Sequence, residues 1–420
     1  MAPRALKNGI PYYLLPSSGT EAASVLVLVK VGSRYETPEL SGASHFIEHL
    51  MFKGTKKRPR PEHISQALDA VGADYNAFTG KDLTGYWVKV PKSHLGLAID
   101  LLHDMLHASL FRASDMKRET KVILEEINMY HDNPMMHVEE LLEAAMFDGS
   151  TLGVEIAGTH ESMKAMKRAD VLRYRDRYYQ PSRMVIAVAG ALPRDTAPLL
   201  RKTFGTLSRP DVQADLFDRC DVRPLRPVRF QYKDTRQVQI AFGFPGVSYE
   251  DHQAPVVKVL STLLGGYMSS RLFSSVREKK GLCYFVRSSH SAYEDTGLFM
   301  IQSGLDRARL ALAGKTILAE VRKLKRERVG GGELRRAKDY LSGKLTLSLE
   351  DSSTRAEFFA RQHLFRGKAR SAEQVREEIA CVTPAQIQAV AHRLFDESRM
   401  GLAGIGPFRS KRALQKAVLI

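Results

Sequence analysis

Apolar residues along this chain fall into short runs of strand length and longer stretches of helical period. Ala23 to Val31, with its apolar run Val25 to Val29, and the alternating stretch Val228 to Phe244 predict strands opening the two halves of the chain. Met184 to Ala191 is a further apolar run of strand length. Pro384 to Phe395 has helical period, with Thr383 placed as N-cap and Pro384 at the first helical position. Another helix starts near Asp306, itself an N-cap candidate, and must stop before the breaker run Gly330-Gly331-Gly332. No apolar run reaches the length of a bilayer crossing, so no membrane span is expected.

The pattern occurs twice. Gly32, Tyr35 and Glu36 recur as Gly246, Tyr249 and Glu250, every pair at an offset of 214. Ser182-Arg183-Met184 follows a helix-like segment ending Arg177-Tyr178-Tyr179 and leads into a strand; Ser398-Arg399-Met400 returns in the same context at an offset of 216. Matching context at nearly one spacing points to duplication. The chain also exceeds what one hydrophobic core usually serves. The expected fold is therefore α+β, two homologous lobes, each a mainly antiparallel sheet packed with helices. The lobes are expected over 1–207 and 228–420, joined by a linker, 208–227, where prolines and charges replace periodicity.

Composition changes this picture little. With 44% hydrophobic and 26% charged residues the chain reads as an ordinary soluble protein. Its net charge of +16 suggests nucleic acid or an anionic surface. However, much of the excess lies on helical stretches such as Arg322 to Arg328, the habit of a solvated helix face. No nucleic-acid-binding motif accompanies the charge, so nucleic acid is not expected as a partner. Cys220, Cys283 and Cys381 are widely separated and make neither a Cys-x-x-Cys site nor a disulfide framework. Met1 to Pro11 carries no apolar run of a secretory signal. A reducing, cytoplasmic location is the expectation.

The sharpest chemistry is His45-Phe46-Ile47-Glu48-His49. On a helix, residues four apart stand nearly one above the other, so His45 and His49 can offer ring nitrogens to one cation. Glu48 sits close enough on the same helix to reach a water on that cation. A catalytic zinc usually takes three protein ligands, so a third must come from elsewhere. The segment Ser114 to Met129 supplies candidates: Ser114 can cap a helix, and Val122, Ile123, Ile127 and Met129 give it apolar period. Glu119 and Glu126 share that stripe, where a carboxylate needs a partner, while Glu125 points elsewhere and reads as solvated. Other histidines, among them His103, His107, His131, His137, His160, His290 and His363, are scattered. Neither a Gly-rich phosphate loop nor a Gly-x-Ser-x-Gly elbow is present.

These residues resemble the pitrilysin and insulinase peptidases, which include mitochondrial processing peptidase. The family pattern is His-x-x-Glu-His-(x)76-Glu, its last member a metal ligand, and Glu126 follows His49 at that spacing. The resemblance implies His45, His49 and Glu126 as Zn2+ ligands, Glu48 as general base and Glu119 as a carboxylate behind the ligands. Val31 to Glu36 through Lys53-Gly54-Thr55 is similar to the family's opening. Asn76-Ala77-Phe78-Thr79 is similar to its substrate-binding edge strand, implying Asn76, Ala77 and Phe78 as substrate-binding residues. Ser269 to Phe273 and Arg277 to Tyr284 resemble the C-terminal signature, in which Arg277 and Tyr284 would complete the active site. Read by themselves, Arg277 is a surface charge and Tyr284 a core residue. At an offset of 214, Val259, Thr262 and Leu263 replace His45, Glu48 and His49, so no second metal motif is expected there.

The resemblance further implies a zinc endopeptidase that cuts peptides or unfolded segments inside a chamber. A chain of this length supplies only two lobes, which implies a homodimer, or a heterodimer with a related subunit. The alternative on the same fold is a catalytically silent scaffold or assembly subunit. Such members generally lose part of the zinc motif, and this chain keeps every piece of it.

Overall fold

The computed structural model describes residues 2–208, 217, 220 and 226–419, so most of the stretch expected as a linker lies outside the described residues. The first sheet is built from β1 (Arg4–Ala5), β2 (Pro11–Pro16), β3 (Ala22–Val29), β4 (Asp74–Thr79), β5 (Thr84–Pro91) and β6 (Met184–Gly190), in the order β1-β2-β6-β3-β5-β4. The apolar runs became its central strands because both faces of β3 and β6 are covered and leave no position for a solvated side chain. Ala23, Val25, Val27 and Val29 enter one core, while Ser24 on the opposite face lies 2.7 Å, hydroxyl to hydroxyl, from Ser352 of the helix Ser352–Arg366.

A second sheet consists of β7 (Val228–Tyr232), β8 (Gln237–Pro245), β9 (Cys283–Ala292), β10 (Gly297–Asp306) and β11 (Gly401–Gly406), ordered β7-β11-β8-β10-β9. The expected strand Val228 to Phe244 is thus two strands. Leaving aside the short β1, the two sheets repeat one topology, each with a single parallel pair (β2 with β6, β7 with β11) among antiparallel ones. The duplication read from scattered tripeptides is therefore a duplication of strand order.

The chain divides into two units: Met1–Ile127, Val154–Phe217 and Thr346–Ser371 form the first, and Asn128–Gly153, Asp218–Leu345 and Ala372–Ile420 the second. This corrects a division at a single linker. Helix Pro134–Met146, from the first half of the sequence, buries Val138, Leu142 and Met146 with Ala241, Met300, Ala403 and Ile405 of the second sheet. Helix Ser352–Arg366, from the second half, packs on β3 and β6 of the first. An amphipathic pattern states that a helix face must be covered, but not which of two similar sheets covers it. The last dozen residues contain helix Lys411–Leu419 with Leu414 and Val418 buried in the second core.

In the first unit a clasp holds the segment before the histidine motif against the β4–β5 turn. Ser33 N donates to Gly80 O and Arg34 N to Lys81 O, at 3.1 Å each. Gly32 permits this approach, since a Cβ there would stand 2.2 Å from the Gly80 carbonyl oxygen. The clasp is locked by Arg34, whose Nη1 lies 3.0 Å from Asp82 Oδ1, with both side chains buried. Removing one partner of a buried pair is strongly destabilising, so Asp82→Ala should lower stability by about 3–5 kcal/mol. Urea unfolding followed by circular dichroism checks this, and a loss below about 1 kcal/mol would show the pair to be dispensable.

Candidate metal centre

His45, Glu48 and His49 lie on the helix Ala43–Met51, whose rotation is fixed by Phe46, Ile47, Leu50 and Met51, all fully buried. The helix has no capping side chain of its own at Gly42, which takes a left-handed conformation (φ 92°). Glu36 caps it from outside, accepting from the backbone N–H groups of Gly42 and Ser44 at 2.7 Å each. Burial pushes the Glu36 carboxyl up to about 8 against the pull of these hydrogen bonds. Gly54 adopts φ 118° just beyond it.

Glu119 and Glu126 lie on the helix Ala113–Asp132. Ser114 is not its cap: the helix begins one residue earlier, and the backbone of Arg112 accepts from Asp115 and Met116. Its inward stripe is Met116, Glu119, Ile123 and Ile127; Val122 and Met129, expected on that stripe, are 49% and 56% exposed. Glu125 is exposed, as expected.

The two helices bring His45, His49 and Glu126 together, one donor atom from each lying within 4.8 Å of the others. Glu126 Oε2 is 3.6 Å from His45 Nε2 and 3.4 Å from His49 Nε2. Those separations are long for hydrogen bonds. They match the edge of a zinc tetrahedron, about 3.3 Å for bonds of roughly 2.0–2.1 Å. The imidazole centroids are 4.6 Å apart, and His45 Nδ1 is buried with no hydrogen-bond partner among the described residues. Two imidazoles and a carboxylate are a donor set that suits zinc, so the residues fit the ion the sequence implies.

Electrostatics divide the two histidines. Burial first, then the neighbouring His49, lowers His45 to about 4, which keeps its ring neutral. At His49 burial also pulls downward, but the hydrogen bond to Glu119 and the neighbouring carboxylates of Glu126 and Glu48 outweigh it and raise the imidazole to about 9. Glu119 Oε2 lies 3.3 Å from His49 Nδ1, and its Oε1 is 2.9 Å from Lys53 Nζ. Glu119 thus orients His49 rather than joining the three-atom group. Burial raises Glu48, which accepts a 2.5 Å hydrogen bond from Thr79 Oγ1 at the end of β4. Asn76, Ala77 and Phe78 belong to β4, which pairs only with β5 among the described strands and so is a sheet edge.

Arg277 and Tyr284 belong to the second unit. Arg277 lies on the π-helix Phe273–Glu278, its guanidinium 5.4 Å from the Tyr284 ring centroid. Tyr284 is 74% exposed, so its reading as a core residue is overturned. In helix Ala254–Gly265 the residues matched to the motif, Val259, Thr262 and Leu263, are buried and offer no nitrogen or carboxylate donor. Sequence reasoning missed Glu36 as the helix anchor, although its repetition as Glu250 marked it, and missed the Lys53–Glu119 pair altogether.

Residues 12–160 match the family profile described as insulinase, peptidase family M16, and residues 165–341 match that of the peptidase M16 inactive domain. The chain is 34% identical over 410 residues to the uncharacterized zinc protease YmxG of Bacillus subtilis, covering 96% of this chain and 97% of that protein. It is 36% identical over 405 residues to an uncharacterized zinc protease of Streptomyces coelicolor, covering 95% and 87%. A protease structure from Helicobacter pylori shares the fold with a TM-score of 0.91 at 23% identity, covering 96% of this chain and 99% of that one.

A metal ligand must shed its proton. His49, at about 9 in the metal-free protein, is protonated throughout the neutral range, whereas His45, at about 4, is not. Zinc affinity should therefore rise about tenfold per pH unit below 9 and level off above it, with one proton released per ion. Calorimetric titration in buffers of different ionisation enthalpy reads that proton directly, and a binding heat independent of the buffer would contradict it.

Proposed function

The chain belongs to the insulinase family of peptidases, family M16, and on that ground we propose that it is a zinc-dependent endopeptidase cleaving peptides or unfolded segments. The observation that carries this reading is the convergence of His45, His49 and Glu126, with Glu126 Oε2 3.6 and 3.4 Å from the two rings and Glu48 one residue from His49. Zinc, when bound there, acts as a Lewis acid on the scissile carbonyl and acidifies water.

The protein's own residues do the remainder. Glu48 takes the proton from the attacking water and returns it to the leaving amine. Burial raises its pKa toward the working range of a general base, while the Thr79 hydroxyl fixes one of its oxygens. The unpaired edge of β4 at Asn76, Ala77 and Phe78 would pair with an extended peptide backbone, so a folded protein would be excluded for want of a free strand. Tyr284 would donate to the developing oxyanion, with Arg277 steadying its ring.

Its relatives are covered nearly end to end. The family resemblance supports an enclosing chamber made by two chains, a homodimer or a pair with a related subunit. Three widely separated cysteines, two of them half-buried, support a reducing compartment such as the cytoplasm. Among the described residues no helix is long and apolar enough to cross a membrane.

Glu48→Gln should abolish cleavage of an unstructured quenched peptide while zinc content stays unchanged; turnover retained by that variant would remove Glu48 as the base. Tyr284→Phe should keep its zinc and lose roughly 100- to 1000-fold in turnover, the usual effect of deleting one oxyanion donor. Unchanged rates would take Tyr284 out of the reaction.

A further inference from the structure

At the corner between helices Ala113–Asp132 and Pro134–Met146, three side chains of the second unit, His131, His137 and Glu140, bring donor atoms together. Only Asn133 separates the two helices. Its side chain accepts from Met135 N at 3.1 Å, and its carbonyl from Met136 N and His137 N at 3.1 and 3.0 Å. Pro134 then fixes the first helical position of the second helix. A corner built this way has little freedom.

It places His131, in the last turn of one helix, against His137, in the first turns of the next. Their ring centroids are 4.4 Å apart at an interplanar angle of 49°. Glu140 lies three residues beyond His137 on the same helix face, with Oε2 2.9 Å from His137 Nδ1. One donor atom from each of the three lies within 4.8 Å of the others. His137 is 5% exposed, and His131 and Glu140 are half-buried.

Two imidazoles and one carboxylate, one ring buried and the other two groups half-buried, are the ligand chemistry of zinc-class divalent cations. We propose that His131, His137 and Glu140 form a second divalent-metal site, a brace across this helix corner that uses no residue of the first centre. The ligands are local in sequence, so the ion would stiffen the corner whether or not the first centre is loaded.

The test is zinc stoichiometry. Full-length protein stripped with a chelator is titrated with zinc chloride and examined by native mass spectrometry, circular dichroism confirming that each variant is folded. The wild type should hold two ions per chain, His131→Ala with Glu140→Gln one, His45→Ala with His49→Ala one, and the four-fold variant none. Both residues changed at the corner are half-buried rather than fully so, which keeps the fold testable if His137→Ala does not survive. A wild type that holds a single ion, lost with His45 and His49, overturns the proposal. So do two ions that persist in the His131 and Glu140 variant.

Discussion

Histidine rings and carboxylates crowd into one partly buried space on the first unit, and the mutual compensation of their charges is what makes that crowding tolerable. Glu126 reaches both imidazoles, Glu119 reaches the far side of His49, and Lys53 answers Glu119. An unpaired charge in such a place would be very costly. Each group is therefore bound to its place by the others, and a divalent cation would complete the balance by replacing the proton His49 otherwise carries. The surrounding fold can be understood as the means of keeping two helices at the distance this balance requires.

That support is layered. The histidine helix is locked in rotation by four buried apolar side chains and held at its N-terminus by Glu36. The segment carrying Glu36 is clasped to the β4–β5 turn through Gly32, Ser33 and Arg34. The same hairpin delivers Thr79 to Glu48 and leaves β4 at the sheet edge. One clasp thus sets the histidines, the base and the edge strand relative to one another. Positioning at this precision is what acid–base chemistry at a metal demands, since small displacements of reacting groups are expensive in rate.

The second unit shows what duplication preserves and what it discards. Strand order survives, including the position of the one parallel pair, because it is set by the hydrophobic burial of whole strands. The metal ligands do not survive, and Val259 and Leu263 take the two histidine places with apolar side chains that are fully buried. A helix in either unit needs a packed face, whereas only one needs donor atoms. The crosswise contribution of helices Pro134–Met146 and Ser352–Arg366 means that each unit contains a segment of the other half of the sequence.

By itself the sequence determined the elements governed by local rules: the apolar strands, the Thr383 and Asp306 caps, the duplication, and the histidine helix with its glutamate between. Periodicity is a property of neighbouring residues, so these follow from short windows of chain. Spacing to Glu126 became meaningful only through family resemblance, since nothing local distinguishes it from Glu119. Tertiary structure alone decided that Glu126 faces both rings while Glu119 stands behind one, that Val122 and Met129 turn outward, and that Tyr284 is exposed. It alone also brought His131 beside His137 out of a scatter of histidines. These outcomes depend on how one element is turned against another, and that turn is fixed by packing between residues far apart in the chain.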